Sequence, residues 1–134
     1  NLRPFLCLKF MKKSKYFSLS EIECGCGCGF SAMNGDTLDI ADAVREFVGH
    51  SVNCGSGCRC VDHNFEIGGA VRSRHLPRHV EDNKFESDAM DLHLTDGKET
   101  ASVVDFLRTN YPNVTFFTYS WGIHIDTRSI QPGE

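Results

Sequence analysis

Two β-prone runs stand back to back near the C-terminal end of this chain, VTFFTYS at 114–120 and WGIHIDT at 121–127, both dense in β-branched and aromatic residues. With almost no chain between them they can pair only as a hairpin, so the sheet they enter is antiparallel at that point. Two helical patterns precede them. Leu38, Ile40, Ala41, Val44, Phe47 and Val48 recur at helical spacing, with Asp39, Asp42, Arg45 and Glu46 falling mostly between them. Asp36 as N-cap and Gly49 as a C-terminal stop predict a helix of about three turns. Gly97 opens a second pattern in which Ala101, Val103, Val104, Phe106 and Leu107 supply the apolar positions, and Pro112 closes it. ESDAMDLHL at 86–94 alternates apolar and acidic residues and reads as a strand. A serine-capped helical turn is expected in FSLSEIE at 17–23, and a short extended piece near 50–54. The predicted class is α+β, a small antiparallel sheet with flanking helices.

The rest of the chain reads as loop. ECGCGCGF is too glycine-rich for the interior of a helix or a strand, which predicts a loop over 24–35. The stretch 55–74 is turn-rich, and LPRHVEDNKFES at 76–87 is expected to be an exposed polar loop. A length of 134 residues fits one domain, assigned to 16–134 and expected to be a monomer, with 1–15 as an N-terminal extension. The Met-Lys-Lys at Met11 looks like a natural start. Net charge is −4, and the longest basic run is Lys12-Lys13, which argues against a nucleic-acid partner needing a basic patch. No apolar run approaches the roughly 20 residues that cross a bilayer, so no membrane partner is expected. The opening NLRPFLCLKF is too short and interrupted for a secretory signal. The expectation is synthesis in the cytosol, with the seven cysteines reduced.

Chemistry enters with His75, Asp91 and His124. A catalytic zinc takes three nitrogen or oxygen ligands and keeps one position open, and these residues are the candidate set. Asp91 and His124 lie in strand-like segments, and His75 at the edge of a turn. Around them the sequence reads RCVDHNFEIGGAVRSRH from Arg59, then SDAMDLH, then WGIHIDTR. The ordered elements are Arg59, His63-Asn64, Gly68-Gly69-Ala70, Ser73-x-His75, Ala89-x-Asp91 and His124-x-Asp126. This series resembles the zinc D-Ala-D-Ala carboxypeptidase and peptidoglycan endopeptidase family, whose fold is shared with the hedgehog signalling domain. The amino-terminal FSLSEIEC with its Cys-Gly pair resembles the variant that carries a cysteine-bearing loop before its first helix. The resemblance spans roughly residues 16–128.

The resemblance implies that His75, Asp91 and His124 hold zinc and that Arg59 binds the substrate carbonyl or carboxylate. A fixed guanidinium there can stabilise the oxyanion of a tetrahedral intermediate. Asp126 stands two residues beyond His124, on the same strand face, and is either the general base or a group that orients a ligand. Ser73 either bonds near the ligands or caps its turn, and Gly68 and Gly69 serve backbone geometry. The family spaces its first His and its Asp closely, with a Gly between them. Here fifteen residues separate His75 from Asp91, and Ser87 stands in the place of the glycine. An inserted loop of about nine residues accounts for this at little closure cost. His79 competes with His75, which is favoured because it completes Ser-x-His. His93 is expected to be a neighbour of Asp91.

Cys24, Cys26 and Cys28 alternate with glycines, and Cys54, Cys58 and Cys60 form a second cluster. Reduced thiols, a second metal and disulfides are all compatible with this spacing. A bond or metal at Cys58 and Cys60 would hold Arg59 still. Cys7 has no evident role. By resemblance the substrate is peptidoglycan peptide and the cofactor zinc, in a phage lysis or tail enzyme or a bacterial wall-remodelling protein. The alternative is a non-catalytic module of the same fold that binds zinc and a cell-wall or protein ligand.

Overall fold

The computed structural model describes residues 13–131. Cys7, the Met11 start and most of the expected 1–15 extension lie outside the described residues. Ser14 and Lys15, at the inner end of that extension, bond the carboxylate of Asp42 through the Ser14 hydroxyl and the Lys15 amide.

Among the described residues four helices and six strands follow in the order α1 (Leu19–Ile22), α2 (Gly35–Val48), β1 (Asn53–Ser56), α3 (Val61–Glu66), β2 (Arg78–Glu81), β3 (Lys84–Glu86), β4 (Ala89–His93), α4 (Gly97–Asn110), β5 (Thr115–Tyr119) and β6 (Gly122–Asp126). Strands β1, β4, β6 and β5 make a four-stranded sheet in that spatial order, while β2 and β3 form a separate hairpin. Every pairing between these strands is antiparallel, which gives the α+β class. The two runs at 114–127 pair as the expected hairpin, with Tyr119 opposite Gly122 across a two-residue turn. Gly122 has φ of 151°, and a Cβ there would meet the Leu92 carbonyl oxygen, so only glycine fits.

Strand periodicity divides the sheet into two chemistries. Met90, Leu92, Ile123 and Ile125 point to one side and are fully buried. They meet the inner stripes of α2 (Thr37, Leu38, Ile40, Ala41, Val44) and α4 (Thr100, Val103, Leu107), which pack on each other and on this side. Asp91, His93, His124 and Asp126 occupy the alternate positions and point to the other side.

Local differences from expectation have physical causes. The N-cap of α2 is Asn34 rather than Asp36, because the Asn34 side-chain carbonyl accepts from the amides of both Asp36 and Thr37. Gly49 ends the helix in the left-handed conformation, as expected. Phe47 leaves the core stripe and stacks on Phe106, ring centroids 4.5 Å apart. In α4, Ala101 is exposed and Thr100 is buried in its place. The extended piece expected near 50–54 lies at 53–56. The turn-rich stretch contains α3, whose N-cap is Cys60, its sulfur accepting from the His63 amide. The expected polar loop at 76–87 is largely the β2–β3 hairpin.

Candidate metal centre

Asp91 and His124 are direct cross-strand neighbours, paired in register between β4 and β6. Directly opposite residues on one sheet face bring their side chains together. The turn before the hairpin delivers the third group, His75. The three residues offer ligand atoms all within 4.8 Å of one another.

The ring contacts select the inward atoms. His75 Nδ1 lies 2.6 Å from the Gly57 carbonyl, a bond that places the proton on Nδ1 and leaves the Nε2 lone pair facing Asp91 at 3.2 Å. On the other side His124 Nε2 meets Asp126 Oδ2 at 2.9 Å, and Nδ1 meets Asp91 Oδ1 at 2.9 Å. Thus His75 Nε2, Asp91 Oδ1 and His124 Nδ1 converge, and each ring is held from behind by an oxygen. Outward nitrogens bonded to a carbonyl or carboxylate are the usual backing of metal-bound imidazoles. Ligands about 2.0–2.1 Å from a tetrahedral zinc lie about 3.3 Å apart, close to the two contacts with Asp91. Two imidazoles and one carboxylate are a zinc-type donor set, and the residues fit the ion.

Charge is arranged to match. Burial alone would raise the Asp91 carboxyl, but its bonds to His124 and His75 outweigh this and hold it well below the usual carboxylate range. Burial alone would lower His124, yet Asp126 and Asp91 raise it to about 9. Asp126 is fully buried; burial would raise it, and the bonds from His124 and Arg128 lower it to about 2. Arg128 grips Asp126 through Nε at 2.9 Å, Nη2 at 2.7 Å and its own amide at 3.1 Å. Arg128 was not singled out in the sequence, although an Arg two residues beyond the Asp was its signal.

Arg59 is 9% exposed. Its amide donates to the His75 carbonyl at 2.9 Å, which ties it to the centre. Nη1 donates to Asn64 Oδ1 at 2.8 Å and Nη2 to Ser56 Oγ at 3.0 Å, while Nε is buried with no partner. Burial lowers its pKa, opposed by the nearby Asp91 charge. Asn64 in turn donates to the Ala70 carbonyl at 3.0 Å, so Asn64 joins the guanidinium to the Gly-Gly-Ala step. A Cβ on Gly69 would lie 2.0 Å from Asn64 Oδ1 and 2.8 Å from Arg59 Nη1. That approach is why glycine stands there, and Gly68 supplies the adjoining φ of 70°.

The remaining candidates separate clearly. His79 lies on β2, edge to face with Phe85 at 5.3 Å, outside the cluster. His93 stacks on Trp121 at 5.0 Å and covers Gly55, a neighbour and not part of the trio. Ser73 Oγ accepts from the His75 amide at 3.2 Å, so its bond both caps the turn and seats His75. Ser87, fully buried in the glycine's place, donates its hydroxyl to the His75 carbonyl. The six clustered cysteines do not act together. Cys24, Cys26, Cys28 and Cys60 gather into one group. Cys58 instead points into the core toward the Ala32 carbonyl, and Cys54 is half-buried on β1; burial pushes both thiols up to about 12.

The family described as Peptidase M15 matches residues 15–126 of the chain. No curated protein and no solved structure matches it. The match contains α1, every strand, all the residues of the centre and the arginine beside it, and the chain belongs to the Peptidase M15 family, the zinc D-Ala-D-Ala carboxypeptidase-like peptidases.

Proposed function

We propose that this chain is a zinc-dependent peptidase that hydrolyses amide bonds in peptidoglycan peptides. The observation that carries the reading is the convergence of His75 Nε2, Asp91 Oδ1 and His124 Nδ1 beside a buried guanidinium. The cell-wall substrate is supported by the resemblance of the Arg59, His63-Asn64, Gly68-Gly69-Ala70 and Ser73-x-His75 series to wall-peptide hydrolases.

A bound zinc supplies Lewis acidity, polarising the scissile carbonyl and making a water acidic enough to attack near neutral pH. Hydrolysis puts the water's hydroxyl on the carbonyl carbon, and the amine departs with the proton. Arg59 has five N–H donors, of which two hold Asn64 and Ser56. Nε is buried, so the second N–H of Nη1 and of Nη2 are the ones to offer a substrate carbonyl or carboxylate, where a guanidinium that needs no reorganisation is most effective. Asp126, enclosed by His124 and Arg128, serves as a positioning residue: it keeps the His124 ring turned so that Nδ1 faces inward. Family membership makes the chain a peptidase relative; the wall substrate and the zinc dependence are the further steps.

The test is zinc content together with release of soluble peptides from purified peptidoglycan, comparing wild type with His124→Ala. Wild type is expected to hold zinc at this centre and release peptides whose masses name the bond, and His124→Ala to lose both. Zinc binding by wild type without peptide release, across several wall chemotypes, would favour a non-catalytic module. Zinc unaffected by His124→Ala would refute the proposed centre.

A further inference from the structure

Away from the His75 centre, four sulfurs gather where nothing in the peptidase chemistry requires them. Cys24 Sγ lies 3.5 Å from Cys26 Sγ, and Cys26 Sγ lies 3.7 Å from Cys60 Sγ. With Cys28 the four Sγ atoms all fall within 4.8 Å of one another. A disulfide needs about 2.05 Å between sulfurs, so no pair here is bonded. A metal with four thiolates at about 2.3 Å in a tetrahedron sets them about 3.8 Å apart, the spacing the two closest contacts approach.

The backbone is shaped to the same end. Gly27 and Gly29, on either side of Cys28, take φ of 82° and 89°, left-handed turns that let this segment bend tightly around the sulfurs. Amides aim at the sulfurs: Cys60 N–H donates to Cys24 Sγ at 3.3 Å, and His63 N–H donates to Cys60 Sγ at 3.4 Å. Donors placed on sulfurs in this way are the outer contacts that orient metal ligands. Cys24 is buried, Cys60 half-buried, and Cys26 and Cys28 exposed, so the four thiols meet at the surface without pairing, and packing alone does not account for them.

We infer that Cys24, Cys26, Cys28 and Cys60 form a second metal centre, a closed tetrathiolate site for structural zinc, separate from the His75–Asp91–His124 centre. Four soft sulfur donors within 4.8 Å of one another suit zinc or iron, and a closed four-ligand shell leaves no position for water. Binding displaces the thiol protons to solvent and involves no change of oxidation state. Its place in the fold gives it a task. It fastens the 24–28 loop to the N-terminus of α3, one residue from Arg59, and so holds the guanidinium's backbone from the side opposite His75. Cys54 and Cys58 are outside the site.

Metal content of the full chain, purified under reducing conditions, tests this without reference to peptidase activity. Wild type is expected to carry two zinc ions, His124→Ala one, and Cys26→Ser/Cys28→Ser one, the single zinc of each variant being a different one. A tetrathiolate site is also expected to protect its exposed cysteines. Cys26 and Cys28, followed by peptide mapping in wild type, should resist alkylation until a chelator removes zinc. Cobalt substitution of His124→Ala should give the sulfur-to-metal charge-transfer bands of a tetrahedral thiolate centre. The inference is overturned if wild type binds a single zinc that His124→Ala removes, if Cys26 and Cys28 alkylate at once in zinc-loaded protein, or if mapping without reductant finds them disulfide-bonded. The alkylation and cobalt readouts keep the test decisive should the double cysteine variant fail to fold.

Discussion

Asp126 engages both carboxylate oxygens, one toward Arg128 and the other shared between Arg128 and His124. A group so enclosed is suited to holding a ring. Asp126→Asn is therefore expected to weaken zinc binding about 10–100-fold while activity returns at saturating zinc. Competition against a chromophoric chelator, with rates measured at high zinc, checks this; lost turnover with unchanged zinc affinity would instead make Asp126 the base. The same contacts make the metal-free protein sensitive to pH. The folded His124 ring keeps its proton up to about 9, whereas an unfolded ring releases it near its ordinary value of about 6.5. That contribution to stability is complete below about 6.5 and is lost as pH rises through about 9. Melts of chelator-treated protein should show Tm falling across this window, and falling less in His124→Gln. Asp126 has the opposite sign: its contribution is present above the ordinary carboxylate range and disappears as pH falls through about 2.

Among the elements, the β2–β3 hairpin accounts for the unusual distance between His75 and Asp91. Among the described residues β2 and β3 pair as strands with each other and not with the four-stranded sheet, and the buried Asp88 closes the base of the hairpin through Arg74 and Arg78. Replacing 78–86 with a short glycine-containing link is expected to leave zinc at the His75 centre unchanged and to alter KM more than kcat. Metal analysis and steady-state kinetics would show it, and loss of the centre would mean that the hairpin holds His75 in place. Gly69→Ala belongs to this scale too: its methyl must displace Asn64 or Arg59, at a cost of about 1–3 kcal/mol, with lower Tm and lower kcat/KM. What the sequence disclosed about these elements follows their burial. The long helices were readable because Leu38, Ile40, Ala41, Val44, Val103 and Leu107 bury one stripe. Helix α3 was not, since Val61 and Phe65 are 64% and 85% exposed and write no amphipathic period. The hairpin strands are largely exposed and likewise lack alternation. The His75, Asp91 and His124 trio could be picked out by motif order, but the backing of His75 by the Gly57 carbonyl depends on tertiary approach that no spacing encodes.

For the molecule as a whole, the helices that cover one side of the sheet leave the other for chemistry, so stability and function draw on opposite faces of the same strands. Metal bound at the proposed His75 centre would then cross-link a turn, β4 and β6. Free zinc at 100 times its Kd is expected to stabilise the fold by about 2.7 kcal/mol, raising Tm by roughly 10 °C. Thermal melts of chelator-treated His124→Ala and wild type, with zinc added back, isolate the share due to this centre. Among the described residues no helix is long and apolar enough to cross a membrane. The tip of the hairpin, where Asn83 takes φ of 58° in an exposed two-residue turn, has a practical use. A fluorophore, an affinity tag or a whole foreign domain could be spliced between Asp82 and Asn83, giving a handle by which the working protein is tracked or immobilised.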